Sequence, residues 1–474
     1  MKPQTEKFKE LARENMSDGT QRAMLKLFPP LLKQLRDASF QDLGEEAAME
    51  KGRRIREDAV RDLPYLLERF EDEVTKAGAK VVWARDGKEA NDFILSLAKE
   101  KGCRICVKGK SMVSEEISLR EALVESGIET YETDLGEFII QLAERPPFHI
   151  VGPAINMTVK EVSDLFHEKI GSPETEDANE LGGYARQFLR DKFQNADLGI
   201  TGVNIAVAET GSIFLVENEG NIRYSTSGPK VHVALMGIEK VVATFTDAVH
   251  MLKLLTRSCM GMAITKYVSV INGPRKKGEN DGPEELYIVI LDNGRSRIYA
   301  DEMLRSSLQC IKCGLCSGVC PIYATVGGYT YGWVYSGPIG AVLNPLLLGL
   351  DRARDLYHAT TLCGACNRYC PAGVDLRGIL LDLRAKEMTG NKTFGAKRPS
   401  LFHRLFIRFW SWALLSTFLY NMGSIAARVL TAPFVRGGKL LWMPGFSGWM
   451  KARDLPRFAP KTFHRLFAQM NEQR

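Results

Sequence analysis

Seven of the chain's ten cysteines lie between positions 310 and 370, in two short groups that each end in Cys-Pro. The first is Cys310-Ile-Lys-Cys313-Gly-Leu-Cys316-Ser-Gly-Val-Cys320-Pro321, the C-x2-C-x2-C-x3-C-P spacing of a ferredoxin-type cubane cluster. Three thiolates set two residues apart converge from one tight turn onto three irons of a cube. The fourth, carried off by the next helical turn and Pro321, points to a second cluster. Thiolate is soft and anionic, which suits iron in a sulfide lattice. The second group, Cys363-Gly-Ala-Cys366-Asn-Arg-Tyr-Cys370-Pro371, superposes on the first at a constant offset of 50. The position matching Cys310 is then Thr360, so the spacing describes an internal repeat that has lost its first cysteine.

Exchange of the fourth ligand predicts two clusters of the 4Fe-4S type. The first takes Cys310, Cys313, Cys316 and Cys370; the second takes Cys320, Cys363 and Cys366. Three forms of the second remain open: a 3Fe-4S cluster, a four-iron cluster with an open or non-cysteine corner, and one completed by a distant residue such as Cys259 or His358. Zinc also binds C-x2-C pairs, but seven cysteines with two Cys-Pro ends fit two interleaved cubanes better than two tetrahedral zincs. Electron transfer is the chemistry such a set supports.

Other constellations are weaker. Cys103-Arg-Ile-Cys106 has C-x2-C spacing, yet its second half sits in an expected strand, which favours a strand core over a redox pair. Lys108-Gly109-Lys110-Ser111 resembles the end of a phosphate loop, but Arg104 stands where that pattern needs glycine. A helix cap is the plain reading, and an anion site at the helix start is the alternative. Glu209-Thr210-Gly211-Ser212 and Glu217-Asn218-Glu219-Gly220-Asn221 read as turns around one strand of a hairpin. No G-x-G-x-x-G follows an expected strand, so a dinucleotide fingerprint is absent. The histidines form no metal or nucleophile pattern, and no catalytic residue is assigned.

The elements that must carry these residues fall into four stretches. Residues 1–69 read as a helical N-terminal extension. Over 70–300, β-branched runs at 80–83, 104–107, 148–151, 203–208, 212–217, 231–235, 266–271 and 287–291 alternate with amphipathic stretches near 87–101, 113–125 and 158–169. That alternation predicts an α/β domain built around a largely parallel sheet. Residues 301–390 read as an α-helical ferredoxin-like domain. Residues 391–474 form a basic, aromatic-rich tail.

The tail holds 14 Lys and Arg against Asp454 and Glu472, a net +12, so the overall +6 leaves −6 on the remainder. A basic tail on an acidic body predicts docking to an anionic membrane or an acidic partner. Nucleic acid is not expected, because no recognition motif accompanies the charge. Within the tail, 409–427 carries no charge, but Ser411, Ser416, Thr417, Asn421, Gly423 and Ser424 dilute it. An interfacial or partner-packed helix is expected rather than a span. The N-terminal MKPQTEKFKELAREN is charged and lacks the apolar core of a secretory signal, so a cytoplasmic protein is expected, with peripheral contact at the inner face of the membrane.

Taken in order, KGKSMVSEEI (108–117), AVAETGSIFLVENEGN (206–221), the first cysteine group, YGWVYSGPIGAVLNPLL (331–347) and LCGACNRYCP (362–371) resemble the lactate utilization protein B family. The likeness covers nearly the whole chain. It implies a lactate-utilization domain over 70–300, similar in fold to the NagB/RpiA/CoA-transferase group. It also implies the role of iron–sulfur subunit in a three-component bacterial L-lactate oxidation system. The implied partners are a second cysteine-rich subunit and a small subunit built on the same α/β domain. The chain is then an electron carrier within an L-lactate dehydrogenase complex, not a complete enzyme alone. The alternative is a redox or anion-binding module for another 2-hydroxy acid, with the α/β domain itself binding substrate.

Overall fold

The computed structural model describes residues 2–441 and 455–472. Two compact units divide the chain, residues 1–397 and 398–474. The first unit opens with helices α1 (Phe8–Ser17), α2 (Gly19–Ser39), α3 (Glu45–Arg61) and α4 (Leu63–Lys76). Asp18 starts α2 by accepting the Gln21 N–H at 3.0 Å.

The strands that follow are β1 (Lys80–Ala84), β2 (Ile105–Lys108), β3 (Glu129–Glu132), β4 (Leu198–Gly202), β5 (Ile205–Val207), β6 (Ser212–Glu217), β7 (Val231–Gly237), β8 (Val241–Val242), β9 (Tyr267–Ile271) and β10 (Glu285–Leu291). Six form one sheet in the order β1-β10-β7-β4-β2-β3, with every pairing parallel. The central strands are buried on both faces, and the two-residue period of a strand divides their side chains between two cores. Leu286, Ile288 and Ile290 of β10 meet Leu66, Leu67 and Phe70 of α4. Tyr287, Val289 and Leu291 face Ile94, Leu97 and Leu123 on the other side. A smaller mixed sheet, β8-β5-β6-β9, includes the antiparallel β5–β6 hairpin that the turn at 209–212 predicts.

Three local expectations are corrected. Residues 148–151 form no strand. Pro146 and Pro147 precede them and Gly152 and Pro153 follow, so the segment closes into a loop in which the Phe148 N–H donates to Pro153 O at 2.9 Å. The helix expected over 113–125 is two short ones, Met112–Glu116 and Leu119–Glu125, broken at Ser118 with φ +53°. The strand expected over 203–208 is only β5, in the smaller sheet, and the strand of the parallel sheet is β4 just before it.

After β10 the chain is helical and short-pieced: Leu304–Gln309, Leu315–Gly318, Tyr323–Val326, Gly337–Leu348, Arg354–His358, Ala365–Arg368 and Leu376–Thr389. Its core, built on Tyr323, Tyr335, Ile339 and Leu356, also takes in Phe8 of α1 and Leu25 of α2. The N-terminal helices are therefore a wall of the cysteine region. Asn15 donates to Thr330 Oγ1 at 2.8 Å, and Gln4 N–H to Gly332 O at 2.7 Å.

In the second unit, helices Leu401–Leu415 and Thr417–Thr431 meet at Ser416, which caps the second by accepting the Leu419 N–H at 3.4 Å. The uncharged run 409–427 is thus split, and the two helices are bent by 103°. Among the described residues no single helix is long and apolar enough to cross a membrane, although this bent pair passes that test jointly. Phe402, Phe409, Trp410, Trp412, Leu415 and Phe418 are exposed.

Candidate metal centre

The two cysteine groups share a backbone as well as a spacing. Lys312 and Leu362, 50 positions apart, are both left-handed at φ +60° and +54°, and Gly314 and Gly364 follow at +73° and +77°. Each pair opens a one-turn helix, Leu315–Gly318 or Ala365–Arg368. A left-handed non-glycine residue costs about 1–2 kcal/mol, and the same strain appears at both repeat positions. The turns aim N–H groups at the ligand atoms. Lys312 N donates to Cys310 Sγ at 3.4 Å, Tyr323 N to Cys320 Sγ at 3.5 Å, and Val374 N to Cys370 Sγ at 3.3 Å. In the second turn Leu362 N donates to Thr360 Oγ1 at 3.1 Å, the same bond with a hydroxyl in place of the thiol.

The sulfurs sort into two neighbourhoods. Burial, then Cys316, Cys310 and Cys370, push the Cys313 thiol up; burial and then Cys310 do the same to Cys316. Cys370 is pushed up to about 11 by burial and then by Cys310. Separately, Cys366 is pushed up to about 11 by burial, then by Cys320 and Cys363, while Cys320 is raised by burial and by Cys363. Only Cys363 is lowered, by the Ala365 N–H and the Thr361 hydroxyl. Cys316 is also raised by Cys366 of the other set, ahead of Cys370, so the neighbourhoods adjoin. Among the described residues no three His, Cys, Asp or Glu side chains converge on a point that would hold one metal ion. A donor set of seven thiols, collected by two backbone turns that supply N–H bonds to sulfur, fits iron–sulfur clusters.

A buried polar network fastens this region to the sheet. Arg295, after β10, holds Glu116 at 2.8 and 2.9 Å and Glu239, after β7, at 2.7 Å. Tyr335 of the cysteine region donates to Glu116 Oε2 at 2.6 Å. Arg56 of α3 donates to the carbonyls of Glu239, Val241, Leu308 and Gln309, directly before Cys310. The C-terminal ends of β7 and β10, part of the edge where open α/β sheets usually bind ligands, are here filled by this network.

The LUD domain family matches residues 67–291, and the 4Fe-4S dicluster domain family matches residues 306–374. Lactate utilization protein B of Bacillus licheniformis is 40% identical, covering 100% of this chain and 99% of the relative. The Bacillus subtilis protein of that name is 39% identical over 99% and 97%. The chain belongs to the lactate utilization protein B family. Its role is in lactate utilization, with iron–sulfur electron transfer. A DUF162 family protein of Deinococcus radiodurans aligns at TM-score 0.29 and 15% identity over 48% of this chain and 98% of that one, too distant to carry an argument.

Within this family member the weaker sequence constellations resolve. Ser111 caps the helix Met112–Glu116. Lys108 is buried between Glu115 at 2.9 Å and Glu132 at 2.7 Å, and Lys110 reaches Val151 O at 3.0 Å and Glu137 at 3.3 Å. Neither lysine is left for an anion. Cys103 and Cys106 lie in one apolar core, as a strand-core reading expects. Cys259, pushed up to about 12 by burial, packs with Leu255, Cys313 and Leu315. His358 is bound to Glu387 at 2.7 Å.

Sequence reasoning missed a cleft of about 980 Å³ beside Glu115, Glu132 and Trp333. Seven glutamates line it against Lys2, Arg120, Arg145 and Lys169. Its lining comes from segments far apart in the chain and leaves no local pattern.

Proposed function

We propose that this chain is the iron–sulfur electron-transfer subunit of an L-lactate oxidation complex. It takes, one at a time, the two electrons released with two protons as L-lactate becomes pyruvate. Cys310, Cys313, Cys316 and Cys370 hold one cluster, and Cys320, Cys363 and Cys366 hold the other. The observation that carries this reading is the backbone turn repeated at Lys312–Gly314 and Leu362–Gly364, one in each cysteine group, inside the 4Fe-4S dicluster match over 306–374. Bound clusters supply one-electron carriers, and the chain's residues set their surroundings. Cys313 of the first group is buried, beside Cys310 and the Arg56 carbonyl clamp, whereas Cys363 of the second is exposed, so the second group would hold the cluster more open to a partner. Residues 70–300 act as the scaffold, 301–390 as the redox domain and 391–474 as the docking tail. The partners are a second cysteine-rich subunit and a small α/β subunit. The filled C-terminal ends of β7 and β10 favour a scaffold role for the α/β domain.

Anaerobically purified protein is expected to be brown and to hold about seven to eight irons, from one full and one full or three-iron cubane. It should be reduced by L-lactate only with its partner subunits present. Two tight zincs and no iron would overturn the cluster assignment. Lactate turnover by the isolated chain would overturn the division of labour.

A further inference from the structure

The two cysteine turns share a backbone but not a charge. At the constant offset of 50, Lys312 of the first stands opposite Leu362 of the second. Both are left-handed, and each donates its N–H to the residue two before it, Cys310 Sγ at 3.4 Å or Thr360 Oγ1 at 3.1 Å. The Lys312 ammonium lies over the Tyr335 ring, 4.6 Å from its centroid. Arg56, only 3% exposed, gives its guanidinium to four backbone carbonyls. Two of them, Leu308 at 3.0 Å and Gln309 at 3.1 Å, lead directly into Cys310; the others, Glu239 at 2.6 Å and Val241 at 3.0 Å, bracket Lys240. Burial pushes the Lys240 ammonium down to about 8, with Glu239 and Cys310 acting against it and Lys312 and Arg56 with it. Among the described residues no carboxylate forms an ion pair with Arg56, Lys240 or Lys312. Glu239, whose charge acts on all three, is already held by Arg295 at 2.7 Å. The cations of the second group, Arg368 and Arg377, are exposed, where water and salt screen them.

We infer that Arg56, Lys240 and Lys312 are a built-in positive charge that raises the reduction potential of the cluster held by Cys310, Cys313, Cys316 and Cys370. The inference rests on the cluster assignment proposed above. A cubane on four thiolates is an anion, and reduction makes it more negative, so its potential follows the charge and hydrogen bonds around it. Burial alone opposes that added charge. Cations fixed in a low-dielectric site act the other way, and more strongly than exposed ones. Carbonyls solvate the Arg56 guanidinium without neutralising it, and a guanidinium does not lose its proton in a protein. Buried charge calls for a counter-charge, and three cations without a carboxylate of their own find it in the thiolate-held group beside them.

The test is a potentiometric titration of the full chain, loaded anaerobically and followed by paramagnetic resonance, with each signal assigned by its response to Cys310→Ser or Cys320→Ser. Lys312→Leu, which copies the residue of the second turn, is expected to lower the midpoint potential of the first signal and leave the second in place. Lys312→Arg, which keeps the charge, should hold the wild-type potential. Lys240→Met should lower the same signal, which keeps the test decisive where Lys312→Leu fails to retain iron. Too little iron for two clusters in the wild-type chain sinks the assignment and this inference with it. With iron complete, an unmoved first signal in both Lys312→Leu and Lys240→Met sinks the inference alone. So does an equal shift of both signals, or a fall in Lys312→Arg as large as that in Lys312→Leu.

Discussion

At the scale of single residues, ligand exchange between the two motifs is a statement about which mutants resemble each other. Cys370→Ser and Cys310→Ser are expected to damage one and the same signal, and Cys320→Ser the signal lost in Cys363→Ser; spectra of the four single variants check this. Losing Cys320 leaves two thiolates and no second cluster, whereas the first retains three and survives in labile form. A different residue-scale test concerns the Arg295 network. Burial alone would raise the Glu239 carboxyl, yet Arg295 holds it at about 2. A carboxyl lowered in the folded state contributes stability that is complete above its unfolded value, about 4.3. That contribution is lost as pH falls through about 2. Arg295→Met removes the cation hydrogen-bonded to both Glu116 and Glu239 and should cost about 3–5 kcal/mol, read as a lower urea midpoint at neutral pH with an unchanged slope.

At the scale of elements, the cysteine turns depend on walls supplied from far away. Gly332 sits at φ +65°, and a Cβ there would lie 2.6 Å from Gln4 O. Gly332→Ala therefore combines a left-handed alanine with a clash against the N-terminal segment. A loss of about 1–3 kcal/mol is expected, with faster proteolysis of residues 2–17 as its readout. Tyr323→Phe removes only the hydroxyl that donates to Phe148 O at 3.1 Å and should cost about 1 kcal/mol in thermal unfolding, with iron content intact. This is the loop over 148–151 that its β-branched run mislabels as a strand. Alternation announces a strand only when backbone partners are available, and here prolines and a tyrosine hydroxyl take those bonds. The strands β3 and β4, by contrast, leave weak traces. Glu129-Thr-Tyr-Glu132 is half polar and Leu198-Gly-Ile-Thr-Gly202 is rich in glycine, so both become strands through the sheet they join.

At the scale of the whole molecule, charge is divided between an acidic body and a basic tail, and the tail's large side chains are exposed in numbers that need a surface. Aromatic residues with Arg404, Arg408 and Arg428 nearby suit the interface of an anionic bilayer. Full-length protein is expected to sediment with vesicles containing phosphatidylserine at low salt. It should be released as salt rises, because screening acts within about 10 Å at 0.1 M. A chain ending at 397 should keep its iron and lose this binding. Equal sedimentation of both chains at every salt concentration would refute the docking role.

What the sequence determined by itself was chemistry held in local spacing: the two cysteine turns, their offset of 50, the missing cysteine at Thr360, and the alternation that becomes a parallel sheet. These were legible because a turn or a strand face is written within a few consecutive residues. The tertiary structure alone decided where that chemistry sits. It walled the cysteine region with α1 and α2. It filled the C-terminal ends of β7 and β10 with Arg295, Glu116 and Tyr335. Those contacts join residues up to hundreds of positions apart, and packing, which has no period along the chain, selects them.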